Sequence, residues 1–193
     1  MPLKLSDYKL SIIKNNDSIA FNCGDLDLNE FFCKDALYYQ EELLARTYQY
    51  TDANRTSVAM FSVSNDHISL SGEAKKVFPT SKQLRYYPAV KIARLGVATN
   101  FAHQKLGCQI IGFLKMFFLI RNKTGCRYIT VDAYNKGEII NFYEKNGFQS
   151  LTDKDKNKKT RTMYFDLLPL YKALQNDASQ KRQINRVVKK LLK

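Results

Sequence analysis

The octapeptide Asn141-Phe142-Tyr143-Glu144-Lys145-Asn146-Gly147-Phe148 carries the most specific fold information in the chain. It predicts the end of a short helix over residues 137–145, which the Asn146-Gly147 pair stops. The run 128–134 precedes this helix, and its β-branched and aromatic residues predict a central strand. The segment therefore indicates a strand, a turn, a short helix and a tight stop.

A second strand and a long helix lie on the N-terminal side of this segment. Residues 89–97 are almost continuously apolar, as a central strand requires. An apolar stripe at helical spacing predicts a helix over 104–121. The unpaired N–H groups at the start of such a helix favour a bound phosphate, and Lys105 and Gly107 fit that interpretation. An ordinary strand–turn–helix crossover is the alternative.

The remaining elements indicate one mixed domain. Strands are predicted over 8–13, 46–50, 57–63 and 162–167, and a helix capped by Asp25 or Asp27 runs toward Leu44. Residues 71–87 read as a loop or short helix, and 154–161 as a basic hairpin loop. This order predicts an α/β (mixed α+β) sheet with helices on both faces. We assign residues 1–174 to the domain and 175–193 to a basic C-terminal tail.

Composition limits the classes of function that remain. The 193 residues include 31 Lys and Arg against 18 Asp and Glu, so the formal charge of +13 favours anionic partners. The four cysteines form no C-x-x-C pair, and we expect no metal site. The longest apolar stretch, 110–120, is interrupted by Lys115 and is about half of what a membrane span needs. With no export signal at its N-terminus, the protein is expected to be cytoplasmic, without a transmembrane segment.

The octapeptide and three other segments resemble the GCN5-related N-acetyltransferases over about residues 5–168. Val131-Asp132-Ala133-Tyr134-Asn135 with the octapeptide resembles the closing segment of that family, and Arg94-Leu95-Gly96-Val97 resembles its acetyl-CoA strand. Phe21-Asn22-Cys23-Gly24, with Leu28 and Phe31-Phe32, is similar to the opening of the bacterial subgroup that includes acetyltransferase toxins. The resemblance implies a mostly antiparallel twisted sheet in which strands 89–97 and 128–134 form a splayed parallel pair.

The resemblance also implies direct transfer of an acetyl group from acetyl-CoA to an amine, without a metal. Tyr143 would be the general acid that protonates the leaving thiolate, although it could also be an aromatic that packs beside Phe142 and Phe148. The expected cofactor-binding residues are Leu95, Gly96, Val97, Gln104, Lys105, Leu106, Gly107, Cys108, Asn135 and Tyr143. Asn135 would orient the cofactor arm, or else be a turn residue that ends its strand.

The pyrophosphate loop departs from the family pattern Gln/Arg-x-x-Gly-x-Gly/Ala. One register places Ala102, Lys105 and Gly107 at its three defining positions. The other register matches Gln104 and Gly107 but puts Gln109 at the last small position. In the first register Lys105 replaces a glycine and could either crowd the phosphates or pair with them.

The sequence offers no sharp general base, and water leading to solvent or an amine that is already partly neutral would serve equally well. Asp132 is a candidate, because a carboxylate on a central strand is costly without a task or a partner. Strand alternation could instead place it on the opposite face, paired with Lys or Arg. His103 precedes the helix and could touch phosphate, but an exposed turn residue is the preferred interpretation. His67 is interpreted as part of a hairpin turn, and Cys108 and Cys126 as small buried fillers.

The acceptor stays open at this stage. The toxin subgroup acetylates the amine of aminoacyl-tRNA, and the positive charge suits RNA; small-molecule or protein amines are the rival acceptors. Another alternative is a nucleic-acid-binding module that has lost the cofactor. A homodimer and an antitoxin are further candidate partners, and the tail could bind RNA, a partner helix or a membrane surface, or fray. The candidate RNA-contacting residues are Lys75, Lys76, Lys82, Arg85, Tyr86, Tyr87, Lys154, Lys156, Lys158, Lys159 and the tail from Lys181.

Overall fold

The computed structural model describes residues 3–14, 19–70, 84–120, 122 and 124–176. The predicted contacts at Lys75, Lys76 and Lys82, and those in the tail from Lys181, lie outside these residues.

Within the residues that the structure describes, seven strands form one mixed sheet in the order β1-β2-β3-β4-β5-β7-β6. Neighbouring strands are antiparallel except for β4 and β5, which are parallel. The predicted mixed fold, with a single parallel pair in a mostly antiparallel sheet, is confirmed. The strands are β1 (Lys9–Ile12), β2 (Arg46–Thr51), β3 (Ser57–Ile68), β4 (Tyr87–Val97), β5 (Tyr128–Tyr134), β6 (Gln149–Ser150) and β7 (Thr160–Asp166).

Helices cover both faces of this sheet. Asp25 caps the first helix, since its carboxylate accepts a hydrogen bond from the Leu28 amide at 3.0 Å. The sequence did not predict the last helix, α5, nor the short strand β6. The helices are α1 (Leu26–Glu30), which continues through a π-helical turn (Phe31–Asp35) into α2 (Ala36–Glu41), then α3 (Leu106–Ile120), α4 (Gly137–Lys145) and α5 (Leu167–Asn176).

The parallel pair separates after three residues. Ala89, Val90 and Lys91 pair with Tyr128, Ile129 and Thr130. Farther along β4, the register with β3 shifts between Ser62 and Val63, which leaves Ala93 without an opposite residue. Such a bulge bends a strand. A cleft of about 760 Å³ lies between the diverging ends of β4 and β5.

The core is divided between the two faces of the sheet. Phe61 and Ile129 pack with Ile110 and Leu114 of α3 on one face. On the other face, Met60 packs with Phe21, Phe31 and Phe32 beneath the α1–α2 segment. Because successive strand residues point to opposite faces, Met60 and Phe61 serve different cores.

Lys115 stabilises the turn that ends the octapeptide. Its ammonium group donates a hydrogen bond to the Asn146 carbonyl and lies 3.8 Å from the centre of the Phe165 ring. Burial lowers the pKa of Lys115. This polar interruption of the apolar stretch 110–120 therefore has a structural explanation.

Two expectations near the start of β4 are wrong. His67 belongs to β3 and pairs with Pro88, because β3 and β4 stay paired as far as Ile68 and Tyr87. Tyr87 is only 2% exposed, so it cannot stack on an RNA base, whereas Tyr86 is 48% exposed.

The structure also bears on membrane, metal and disulfide chemistry. Within the described ranges, none of the helices has the length and apolar character needed to cross a bilayer. The same residues contain no group of three His, Cys, Asp or Glu side chains arranged to hold a metal ion. All four cysteines are free thiols.

Candidate active site

The cleft between β4 and β5 contains residues from both faces of the sheet. Leu95 and Val97 of β4 line it, as do Val131 and Ala133 of β5. The start of α3 and the side of α4 close it on one face. On the other face its lining is completed by Asp27, Leu28, Arg94, Tyr134, Lys159 and Thr160.

The loop before α3 contains two residues with left-handed backbone conformations. Lys105 has a φ of +61°, in the left-handed region that favours glycine, and His103 has a φ of +60°. The Gln109 amide donates to the Lys105 carbonyl, so the helix starts immediately after this turn. The register that puts Lys105 at the family's glycine position therefore fits the backbone, and Gln104 lies outside the cleft lining.

Gln109 has a different role from the one the second register offered. Its side-chain oxygen accepts from the Leu5 amide at 2.8 Å, and its side-chain nitrogen donates to the Leu3 carbonyl at 2.9 Å. It joins the N-terminal segment to α3.

The first turn of α3 fits a phosphate group. Leu106, Gly107 and Cys108 line the cleft there, and the first N–H groups of a helix have no partners within it. A Cβ on Gly107 would lie 3.3 Å from the Phe142 ring, so glycine lets α4 pack closely against this turn. With the Lys105 charge beside apolar walls, these residues fit the diphosphate and acyl arm of acetyl-CoA.

Tyr143 lies at the junction of the cleft and the core. Its side chain lines the cleft but is only 7% exposed. Its ring packs 5.1 Å from that of Phe142 and 5.4 Å from that of Phe148. Burial raises the pKa of the Tyr143 phenol, so the group stays protonated at neutral pH. Packing and proton donation are compatible at this position.

Gly96 faces away from the cleft lining. A Cβ there would lie 3.0 Å from the Phe21 ring and 3.2 Å from the Cys23 sulfur. The glycine is required for packing under the α1–α2 segment, whereas Leu95 and Val97 face the cleft.

Asp132 does not face the cleft. Its carboxylate accepts hydrogen bonds from Lys91 Nζ at 2.9 Å and from Thr162 Oγ1 at 2.8 Å. Partial burial opposes ionisation, but these two hydrogen bonds and the Lys91 charge hold the pKa of Asp132 below its usual value. The placement argues against a general base and matches the alternative of a lysine-paired carboxylate.

Asn135 holds a loop rather than lining the cleft. Its side-chain nitrogen donates to the carbonyls of Lys156 and Lys158 at 2.7 and 3.0 Å. We call residues 152–159 the basic loop. Buried Asp155 supplies its second anchor by accepting from the Thr162 amide at 2.8 Å. The turn-residue interpretation of Asn135 therefore fits the structure better than a contact with the cofactor arm.

The two cysteines expected to be buried differ from each other. Cys108 is exposed at the cleft and accepts a hydrogen bond from the Asn146 side chain at 3.5 Å. It was wrongly expected to be a buried filler, because it faces outward from the first turn of α3. Cys126 is partly buried, and burial raises the pKa of its thiol to about 11. Such a thiol is a poor nucleophile at neutral pH.

Sequence reasoning missed a polar group at the α1 end of the cleft. Tyr134 Oη donates to Asp27 Oδ2 at 3.2 Å, and Arg94 Nε lies 3.9 Å from the same oxygen. The Arg94 guanidinium also stacks on the Phe31 ring at 5.1 Å. From the sequence, Asp27 was considered only as a helix cap. Because Asp25 already caps the helix, the presence of a second acid two residues later was the signal for another role.

Splayed parallel strands with a phosphate-type turn on one side and a tyrosine at the core define a GCN5-related N-acetyltransferase fold, and comparison with solved structures agrees. A tyrosine-to-phenylalanine mutant of KacT superposes with a TM-score of 0.71 at 17% identity, covering 88% of this chain and 98% of KacT. AtaTR bound with AcCoA superposes with a TM-score of 0.71 at 16% identity, covering 88% of this chain and 99% of AtaTR. AtaT complexed with acetyl-methionyl-tRNAfMet superposes with a TM-score of 0.71 at 15% identity, covering 87% of this chain and 99% of AtaT.

The expected acetyltransferase fold is thus confirmed at low sequence identity. No protein-family model matches the chain, and no curated protein sequence matches it.

Proposed function

We propose that this protein is an N-acetyltransferase that transfers an acetyl group directly from acetyl-CoA to a primary amine. The observation that carries the proposal is convergence on one cleft. The left-handed turn at Lys105, the start of α3 and the protonated Tyr143 phenol all line the space where β4 and β5 separate. The fold shared with AtaTR bound with AcCoA supports the same reading.

The chain offers a defined place for each part of the donor. Backbone N–H groups at the start of α3 and the Lys105 ammonium would hold the diphosphate. Leu95 and Val97, facing Val131 and Ala133, supply apolar walls for the acyl arm. The bound thioester supplies an activated acetyl group.

Tyr143 has the state that proton donation requires. In the reaction a neutral amine nitrogen bonds to the acetyl carbon, the carbon–sulfur bond breaks, the nitrogen loses one proton to water, and the departing sulfur gains one proton. A phenol whose pKa is raised by burial is protonated at neutral pH and can supply that proton. We retain Tyr143 as the general acid.

Donor binding is the first test. Millimolar acetyl-CoA should raise the melting temperature of the protein, and desulfo-CoA should bind without supporting transfer. Transfer of labelled acetyl groups to an amine would then establish the activity. If acetyl-CoA caused no change in melting temperature, the rival function, a nucleic-acid-binding module, would be favoured. The observation that motivates this rival is the lysine that replaces a glycine in the loop.

Aminoacyl-tRNA is the acceptor we favour. AtaT, which shares the fold, is complexed with acetyl-methionyl-tRNAfMet, and the chain carries a formal charge of +13. In addition, Asn135 and Asp155 hold the basic loop at the cleft, where Lys159 is a lining residue. The lysines of this loop, Lys154, Lys156, Lys158 and Lys159, suit contacts with a phosphate backbone.

Lysine substitutions can test this acceptor. The double substitution Lys158→Gln and Lys159→Gln should weaken tRNA binding and lower its salt slope by about two. Lys4→Gln with Lys9→Gln, at the opposite sheet edge, removes the same charge as a control. Equal loss in both variants would mean that only net charge matters, and faster acetylation of polyamines or peptides than of charged tRNA would favour those acceptors.

Other partners follow from the same proposal. KacTA has been solved as a complex with DNA. The AtaT mutant toxin has been solved in complex with the C-terminus of the antitoxin AtaR. By analogy we propose an antitoxin partner, a homodimer and a cytoplasmic location, where acetyl-CoA and charged tRNA are both present. Size-exclusion chromatography with light scattering would test the dimer.

A further inference from the structure

Asp27 occupies a singular position in the cleft. Among the described residues that line it, Asp27 supplies the only carboxylate. It lies on the α1 side of the sheet, whereas the phosphate-type turn and α3 lie on the other side. A molecule that meets the acetyl group from the α1 side therefore passes Asp27.

The carboxylate is not needed to build the helix that carries it. Asp25 caps α1, and the Asp27 side chain is 63% exposed. Its contacts are the Tyr134 hydroxyl at 3.2 Å and Arg94 Nε at 3.9 Å. These contacts orient the carboxylate and leave it accessible from the cleft.

The surrounding charges are mostly positive. Lys159 and Lys136 lie 6.0 and 5.9 Å from the Tyr134 ring, and Arg94 lies across the Phe31 ring. Partial burial and the nearby Asp27 raise the pKa of Tyr134, so that phenol remains a hydrogen-bond donor. Asp25 also lies near enough to raise the pKa of Tyr134, so two carboxylates, of which Asp27 lines the cleft, make this point attractive to a cation and unfavourable for a phosphate.

We propose that Asp27 binds the protonated amine of the acceptor and makes the site specific for amines over hydroxyl analogues. This inference rests on the proposed function, because it concerns the acceptor side of the same cleft. The cationic rim binds the anionic part of the acceptor while Asp27 holds the ammonium group, which loses one proton to water to become the neutral amine that attacks the acetyl carbon. Asp27 is thus a specificity residue that contacts the acceptor.

Binding without acetyl-CoA tests Asp27 separately from turnover. The probes are methionyl-tRNA and the same tRNA carrying the α-hydroxy analogue of methionine. Wild-type protein should bind the amine form about tenfold more tightly, the size expected for one charge-assisted hydrogen bond. Asp27→Asn should bind both forms equally, and Asp27→Glu should keep part of the preference.

Glu30→Gln, which removes an exposed acid from the same helix, is the matched control and should behave as wild type. Melting temperatures show whether each variant is folded. Equal binding of the two probes by wild type, or an unchanged preference in Asp27→Asn, would overturn the inference. Failure to bind acetyl-CoA would instead contradict the proposed function while an Asp27-dependent amine preference remained.

Discussion

Lys91 Nζ donates to Asp132 Oδ2 at 2.9 Å, and this ion pair joins β4 to β5 beside the last paired residues of the parallel ladder. Thr162 of β7 donates to the other carboxylate oxygen. The pair therefore holds the two strands together where they begin to diverge, on the face away from the cofactor side of the cleft.

Asp132→Asn should lower the free energy of unfolding by about 1 kcal/mol at pH 7. Burial alone would raise the pKa of Asp132, but the hydrogen bonds from Lys91 and Thr162 outweigh burial, so the pKa is lower than usual. Stability from a depressed carboxyl pKa is complete above the unfolded value of about 3.9 and is lost as pH falls through the folded value. Urea unfolding at pH 7 and at successively lower pH should show the two proteins converging in acid. A folded variant that has lost acetyl transfer would restore Asp132 as a base.

Tyr143→Phe should lower turnover by about 10²- to 10⁴-fold, because the leaving sulfur loses its proton donor. Acetyl-CoA affinity should change by less than about twofold, since the ring and its packing remain. Calorimetric titration and single-turnover rates check the two halves. Burial raises the pKa of Tyr143, so the wild-type rate should show no loss from its ionisation below the ordinary tyrosine value of about 10.

Tyr164→Phe provides the matched control for this prediction. Tyr164 is a partly buried tyrosine on β7 whose hydroxyl donates to Gln149 rather than lining the cleft. Turnover in Tyr164→Phe should stay near wild type. Unchanged turnover in Tyr143→Phe would leave Tyr143 with packing alone.

Lys105→Gly should weaken acetyl-CoA binding by about tenfold, because a cation beside the diphosphate is lost. The same change should raise stability by up to about 1 kcal/mol, since a φ of +61° suits glycine. Titration at low and high salt checks the charge effect, and Lys105→Arg, which keeps the charge, should bind nearly as wild type. Tighter binding by the glycine variant would mean that the lysine crowds the phosphates.

Asn135→Ala should increase amide hydrogen exchange in the basic loop and destabilise the protein by about 1 kcal/mol. The physical reason is the loss of two hydrogen bonds to loop carbonyls. Acetyl-CoA affinity should be unchanged, because Asn135 lies outside the cleft lining. The control is Asn65→Ala, at an exposed position on β3. If Asn135→Ala weakened acetyl-CoA binding and Asn65→Ala did not, Asn135 would be a cofactor-binding residue after all.

Local patterns account for the parts of the fold that sequence reasoning predicted well. The strand over 128–134 and the helix over 137–145 agree with the observed bounds, because apolar run length and the Asn146-Gly147 stop are properties of neighbouring residues. The prediction that His67 lies in a hairpin turn was wrong because the position of this residue depends on residues far apart in the sequence. Strand pairing between β3 and β4, which joins residues 19 to 38 positions apart, extended β3 past the polar Asn65-Asp66 pair.

Side-chain roles depended on information that neighbouring residues do not contain. Asp132 and Val131 are adjacent, yet strand alternation sends Val131 to the cleft and Asp132 to Lys91. The role of Asn135 required knowing that the basic loop returns beside β5. Asp27 is more than one hundred residues from Tyr134, and only the packing of α1 against the sheet brings them together.

The amino-acid sequence alone was sufficient to indicate the mixed sheet, the order of its main elements, the tyrosine in the octapeptide and the excess of positive charge. The element order and the excess charge follow from periodicity, turn residues and composition, which act over a few residues or are summed over the whole chain. The role of the tyrosine and the parallel pair within the sheet were implied by the resemblance to the acetyltransferases. The tertiary structure decided that Asp27 rather than Asp132 lines the cleft, that Asn135 holds the basic loop and that Lys105 takes a left-handed backbone conformation before α3. Those outcomes depend on where two separated strands diverge and on which face each side chain points toward, and both are set by long-range packing.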